Sequence, residues 1–307
     1  MSQQPTLLDK SFSSIDQLAL LLQKESKVSI SPSAEAAITH CRNYLDNKLK
    51  ENNRPFYGIN TGFGFLQNVV IENHQLEELQ SNLICSHACG MGEEVPEDIV
   101  KLMLALKIKS LAYGHSGVQL QTVMRFVEMF NLNVLPVIFT QGSLGASGDL
   151  APLSHLALPL IAEGEVYYNH KKTGSAKLLD QLGWQPIRLQ SKEGLALING
   201  TQFMGAYGLY SLIHAQKLLA WANAIAALSF DAFDCSPEPF NERIHQIRSH
   251  AGQLTVATAM RTILKGSEIC AAKKEQVQDP YSFRCIPQVH GACADVIAHV
   301  SGVFLKE

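Results

Sequence analysis

This sequence has no excess of positive charge: 25 lysines and arginines stand against 28 aspartates and glutamates, a net charge of −3. Without a basic footprint, nucleic acid is not expected as a partner. It also lacks paired cysteines. Seven are scattered at 41, 85, 89, 235, 270, 285 and 293, and none forms a Cys-x-x-Cys pair. No metal site is therefore expected, and an odd number of thiols suits a reducing, cytoplasmic setting. No basic and apolar leader follows Met1, since the chain opens Ser-Gln-Gln-Pro; a signal peptide would read differently. No apolar run has the length to span a bilayer; the run over 220–229 is short and broken by Asn223, so no membrane partner is expected. Internal repeats and low-complexity tracts are missing as well.

What is present is a globular composition, 46% hydrophobic and 17% charged in 307 residues, enough to bury a sizeable core. Apolar residues recur at helical spacing over 14–25, 31–50, 76–90, 98–113, 118–130, 150–162, 175–182, 192–233, 242–249 and 292–304, which predicts a mainly α fold. A strand is expected at 164–168, followed by a turn over 169–174, as a small mixed region. The stretch 55–65 breaks the helical pattern with three glycines. No Lys-Ser/Thr pair follows it, so it is not a phosphate-binding P-loop.

The densest chemistry lies in Gly145-Ala146-Ser147-Gly148-Asp149-Leu150-Ala151-Pro152-Leu153-Ser154-His155. Gly148 has no Cβ, so its amide nitrogen can approach the Ala146 carbonyl carbon closely. Ring closure there, with loss of water from Ser147, would give a dehydroalanine inside a five-membered imidazolone. The triplet sits at the start of an expected helix, whose positive end favours negative charge developing on such a ring. Asp149 is expected to cap the free amides of that helix. His155 is expected to pack or hydrogen-bond near the triplet without a chemical role.

The eleven-residue run closely resembles the electrophile-forming motif of the aromatic amino acid ammonia-lyase family. Three further blocks carry the same resemblance: Arg54-Pro55-Phe56-Tyr57-Gly58-Ile59-Asn60-Thr61-Gly62-Phe63-Gly64, Lys192 to Gln202, and Gln276 to Gly291. The resemblance implies a methylidene-imidazolone formed autocatalytically from Ala146, Ser147 and Gly148, with no external cofactor. It implies that Tyr57, on a mobile loop, removes the substrate's β-proton. It places His87 at the substrate side chain, Asn199 at the ring and the substrate carboxylate, and Gln278 and Tyr281 at further polar positions. Arg284 suits the carboxylate, since its planar fork binds two oxygens. It further implies an N-terminal electrophile-bearing helical domain, 1–205, then the first part of an elongated central bundle, 206–307. The expected partners are a small amino acid substrate and copies of the same chain, as a homotetramer.

A histidine at position 87 resembles the histidine- and tyrosine-selective members, so the expected reaction is elimination of ammonia from L-histidine to give trans-urocanate. The alternatives are a tyrosine ammonia-lyase or aromatic aminomutase, and a non-catalytic helical subunit or inactive fragment. The last helix keeps its apolar pattern through Val296, Val300 and Phe304 without a clear stop signal. The chain is therefore expected to be cut inside a helix. The resemblance also implies a later active-site aromatic and glutamate, which are expected to be missing from these 307 residues. By itself the chain is expected to self-associate or aggregate, to be a poor lyase, and to leave the triplet largely uncyclised.

Overall fold

The structure is a computed structural model that describes residues 4–51, 54–64, 67–72 and 75–307. Residues 1–3 and Phe65, the last residue of the glycine-rich break, lie outside that set. Helices dominate, joined by short two- and three-stranded sheets. The chain divides into two compact units: Met1–Phe12 with Gln17–Tyr210, and Ser13–Asp16 with Ser211–Glu307. Among the described residues, no helix is long and apolar enough to cross a membrane.

The first unit is built on the helices Pro32–Glu51, Glu97–Ala112 and Leu120–Leu132. Ser31 starts the first of these: its Oγ accepts from the Ala34 amide at 3.3 Å, one of the free donors of a helix start. Leu102, Met103, Leu104, Ile108, Val123 and Phe126 are fully buried and form the core beneath the functional loops. A three-stranded antiparallel sheet orders Leu135–Pro136, Glu165–Tyr168 and Lys171–Gly174, with the second of these in the middle. The expected long turn after residue 168 is instead a two-residue hairpin. Asn169 and His170 take φ of 50° and 60°, the pattern a tight hairpin demands, and 171–174 continue as a strand.

Several expected helices are shorter than their patterns. The 14–25 segment is α-helical only at Ile15–Ala19 and tightens to a 3-10 turn at Leu20–Leu22, although Ile15, Leu18 and Leu21 are buried as expected. The helix Leu76–His87 stops before the glycines expected to end it, and Met91–Glu94 pairs as a strand with Phe139–Gln141. Leu150–Ala157 passes into the 3-10 turn Leu158–Ile161, where Pro159 removes an amide donor. The long 192–233 pattern is two helices, Glu193–Ile198 and Gln202–Ala232, and 242–249 is helical only at Glu242–Gln246.

The second unit contains a helix absent from the expectations, Ala251–Ile263. Its buried Gln253, Val256, Ala257 and Met260 share one face. It packs against Ile286–Lys306, the last helix, which begins six residues earlier than its pattern suggested. The two backbones nearly touch. A Cβ on Gly252 would lie 2.1 Å from the Gly291 carbonyl oxygen, and one on Gly291 would lie 2.5 Å from Gln253 Cα. Asp295 Oδ1 accepts from the Gly252 amide at 2.7 Å, closing the start of the first helix. Beside this crossing, Phe230 and Phe240 stack at 4.7 Å in a core with Val256, Met260 and Ile286.

The close crossing leaves no room for a methyl group. Gly291→Ala is expected to lower stability by about 1–3 kcal/mol, the usual cost of overpacking. Thermal unfolding checks this, and an unchanged midpoint would mean the helices do not meet here.

Candidate active site

The Ala146-Ser147-Gly148 triplet is folded back on itself. Gly145 and Ala146 both bridge to Gly148, and Gly148 bridges to Gly200. Gly148 takes φ of +82°, and a Cβ there would meet the Gly200 carbonyl oxygen at 2.3 Å. Only glycine fits, both for its backbone angle and for the approach. Ala146 and Ser147 are exposed, while Asp149 next to them is buried. The triplet lies just before the helix Leu150–Ala157, as expected.

Asp149 does not cap that helix. Its carboxylate accepts from Ser143 Oγ at 3.0 Å and from the amides of Phe203 and Met204 at 3.1 and 3.0 Å. It therefore caps the first turn of Gln202–Ala232, whose free amides attract an anion. The Asp149 amide donates to the Gly200 carbonyl at 2.8 Å. One residue thus fastens both sides of the glycine contact.

A cleft of about 560 Å³ opens beside the triplet, and Tyr57, Phe63, His87, Ser147, Lys192 and Asn199 are among its walls. A smaller hollow of about 210 Å³ adjoins Ala146, Ser147, Gly148, His87 and Cys89. The structure therefore gathers Tyr57, His87, Asn199 and the triplet into the first unit around shared space. Tyr57 is 58% exposed. Its hydroxyl accepts from the Gly64 amide at 3.4 Å, and its ring meets Phe63 edge-on at 6.4 Å. The Asn60 side chain secures this loop, accepting from the Phe56 amide at 2.6 Å and donating to the Arg54 carbonyl at 2.9 Å.

His87 ends its helix with Nδ1 at 2.9 Å from the Leu83 carbonyl. A carbonyl can only accept, so Nδ1 carries a proton here, and Nε2 is the ring nitrogen left for another partner. Asn199 follows the helix Glu193–Ile198, and its Nδ2 donates to the Leu195 carbonyl at 3.1 Å. His155 Nε2 accepts from the Gly90 amide at 3.0 Å, and burial holds its pKa below the usual imidazole value. That is a packing and hydrogen-bonding role, and it ties the segment after His87 to the helix after the triplet.

The remaining sequence-predicted residues, Gln278, Tyr281 and Arg284, lie in the second unit. Gln278 and Tyr281 are exposed and Arg284 is half-buried. Tyr281 and Arg284 open and close a single helical turn, Tyr281–Arg284, and so share a face. Phe283 anchors the turn against Phe233 at 5.0 Å and Phe230 at 6.4 Å. Buried Asp279 accepts from the Ser236 amide at 2.8 Å and holds the approach to it.

Sequence reasoning passed over Lys107. It is 1% exposed, on the helix Glu97–Ala112, and its Nζ donates to the carbonyls of Ala196 and Asn199 at 2.8 and 3.0 Å. Burial pulls its pKa down to about 7. The signal was present: position 107 falls on the apolar face shared with Met103, Leu104 and Leu111, where a lysine needs a reason. Among the described residues, no cluster of histidine, cysteine or carboxylate side chains could hold a metal.

The aromatic amino acid lyase pattern matches residues 13–307. The histidine ammonia-lyase of Deinococcus radiodurans is 43% identical over 304 residues, 98% of this chain and 58% of that protein. The crystal structure of histidine ammonia-lyase from Trypanosoma cruzi superposes with a TM-score of 0.88 at 40% identity, covering 99% of this chain and 57% of that one. The tyrosine aminomutase of Streptomyces globisporus gives a TM-score of 0.91 at 32% identity, over 98% of this chain and 61% of that one. The chain thus spans 58% of the length of the curated relatives it matches.

Two outcomes follow from the buried charges. Asp149→Ala leaves two helix amides and a hydroxyl without their acceptor, and is expected to cost about 1.5–3 kcal/mol, as for hydrogen bonds to a charged group. Denaturant unfolding measures this, and a loss below about 0.5 kcal/mol would refute the capping role. Lys107 binds more protons unfolded than folded between its buried pKa of about 7 and its ordinary value of 10.5. Its contribution to stability therefore rises with pH across that window, by at most about 1.4 kcal/mol per unit. Lys107→Met should remove that part of the slope, and identical pH profiles for the two proteins would contradict it.

Proposed function

The chain belongs to the aromatic amino acid lyase family, and from that premise we propose that it serves an ammonia-lyase that converts L-histidine to trans-urocanate and ammonia. The observation that carries this reading is the contact of Gly148 with the Gly200 carbonyl, beside a cleft walled by Tyr57, His87, Asn199 and Ser147. The cradle fits a methylidene-imidazolone made from Ala146, Ser147 and Gly148, because the backbone is already folded back at Gly148 and has no room for a side chain. When formed, that ring supplies a carbon electrophile that serves as an electron sink for elimination.

The chain's own side chains then have distinct tasks. Tyr57 takes the β-proton at its phenolic oxygen, as general base. Asn199 offers its carboxamide to the ring and the substrate carboxylate. His87 reads the substrate side chain: with Nδ1 committed to Leu83, Nε2 accepts an N–H from the imidazole. Arg284 binds the α-carboxylate through its planar fork, with Gln278 and Tyr281 as further polar contacts. We also propose a cytoplasmic homotetramer, as the family resemblance implies.

A tyrosine-directed reaction is the second reading, favoured by the likeness to a tyrosine aminomutase and by the acceptor on His87, which takes a phenol O–H equally well.

Intact-protein mass and product analysis test both readings. The chain's length alone led to the expectation of a largely uncyclised triplet; the backbone already folded back at Gly148 leads the proposal to expect instead a protein lighter than its encoded mass by two waters, and Ser147→Ala at its full encoded mass with turnover lost. Urocanate from histidine supports the first reading. Coumarate or a β-amino acid from tyrosine supports the second. Full turnover by Ser147→Ala would remove the electrophile from the triplet.

A further inference from the structure

Lys107 is enclosed by the first unit, and its ammonium donates to two neutral backbone carbonyls. Packing alone does not call for a lysine there. A methionine has a similar shape and carries no desolvation cost. The two carbonyls it meets belong to Ala196, in the helix Glu193–Ile198, and to Asn199, just past its end. These lie where a helix leaves acceptors without amide partners and where its dipole favours a cation.

The next residue is Gly200, at φ of +147°, a conformation closed to other residues. Its carbonyl oxygen accepts from the Asp149 amide at 2.8 Å and stands where a Cβ on Gly148 would be. Lys107 therefore anchors, through Asn199, the backbone that presses on the triplet. We propose that Lys107 is a positioning residue for maturation of the electrophile: by holding Asn199 it keeps Gly200 against Gly148 and sets how fast the Gly148 nitrogen closes onto the Ala146 carbonyl carbon.

The inference rests on the proposed function, because it concerns formation of the same ring. The step balances without any oxidant or reductant. A new bond forms between the Gly148 nitrogen and the Ala146 carbon, whose oxygen leaves as water. Ser147 then loses its Cα proton and its hydroxyl as a second water. The first water takes its two hydrogens from the amides of Gly148 and Ser147, and its departure leaves a double bond between the Ala146 carbon and the Ser147 nitrogen. A displacement on the order of 1 Å in such a closure is worth about a hundredfold in rate. A lysine that fixes Asn199 therefore acts on the chemistry without touching the reacting atoms.

The test follows ring closure by intact mass against time after synthesis, alongside circular dichroism and thermal unfolding. It compares the parent, Lys107→Met, Lys107→Arg, and Phe126→Leu as a control for loss of stability away from the triplet, with the unfolding midpoint of each measured alongside. Phe126 is buried on the helix Leu120–Leu132 and lines neither the cleft nor the hollow beside the triplet. Lys107→Met is expected to lose two waters about tenfold or more slowly than the parent while keeping its helical signal. Lys107→Arg, which keeps the donors and the charge, should restore most of the rate, and the control should close at the parent rate. Where Lys107→Met does not fold, Lys107→Gln, with a donor on a shorter arm, is read in the same way. Closure of a folded Lys107→Met or Lys107→Gln at the parent rate overturns the proposal, and so does an equal loss in the control, which would make the effect one of general stability. A parent that never loses two waters overturns the function proposed for the triplet, and this inference with it.

Discussion

Gly148 and Gly200 approach each other more closely than any two residues with side chains could. The Gly200 carbonyl oxygen fills the space of a Gly148 Cβ and accepts the Asp149 amide. That contact brings the end of the triplet loop to the break between the helices Glu193–Ile198 and Gln202–Ala232. From it follows the placement of the Asp149 carboxylate on the amides of Phe203 and Met204. The exposure of Ala146 and Ser147 toward the cleft follows as well, since the neighbouring residues are pinned. A methyl group at Gly148 would undo all of this together.

The cleft is walled by loops and by parts of helices, and buried charges hold the neighbouring loops by satisfying backbone groups. Arg42 donates to the carbonyls of Gly117 and Ser191 at 2.7 and 2.9 Å. The Glu193 carboxylate, fully buried, accepts from Thr122 Oγ1 at 2.6 Å and from the amides of Gln119 and Gln190 at 2.9 and 2.8 Å. Lys107 completes the set at Ala196 and Asn199. Loop backbone buried without such partners would cost several kcal/mol per group. These side chains therefore hold the backbone that surrounds the cleft.

Much of this was legible from the residues, for reasons that can be named. The helices Pro32–Glu51, Glu97–Ala112 and Ser175–Leu182 fall within a residue or so of their apolar periods, because period and burial agree there. Ser147, Tyr57, His87 and Asn199 stood out through motif, and they line shared space. The failures have physical causes. The break at Asn199–Thr201 lies inside a continuous apolar pattern, which cannot reveal that Gly200 is needed for a distant contact. Asp149 looked like the cap of its own helix because sequence orders neighbours along the chain, whereas its partners are 54 and 55 residues away. Ala251–Ile263 was missed because Gly252 and Gln253 are poor markers of a buried face. Both are buried only because Gly291 lets another helix approach.

The glycine contact also orders events in time. Its two sides are joined by a long stretch of chain that must fold into a strand hairpin and the three short helices Leu150–Ala157, Ser175–Leu182 and Glu193–Ile198 before residue 200 can return to residue 148. Bringing distant segments together comes late and slowly in folding. Backbone cyclisation, by contrast, is covalent and does not reverse. Under the proposed chemistry the ring can close only after the return has taken place, so each matured molecule carries a permanent record that its first unit once folded correctly. Maturation then acts as a checkpoint on assembly: chains that stall before docking stay chemically inert, and no reactive carbon is released into a half-folded protein.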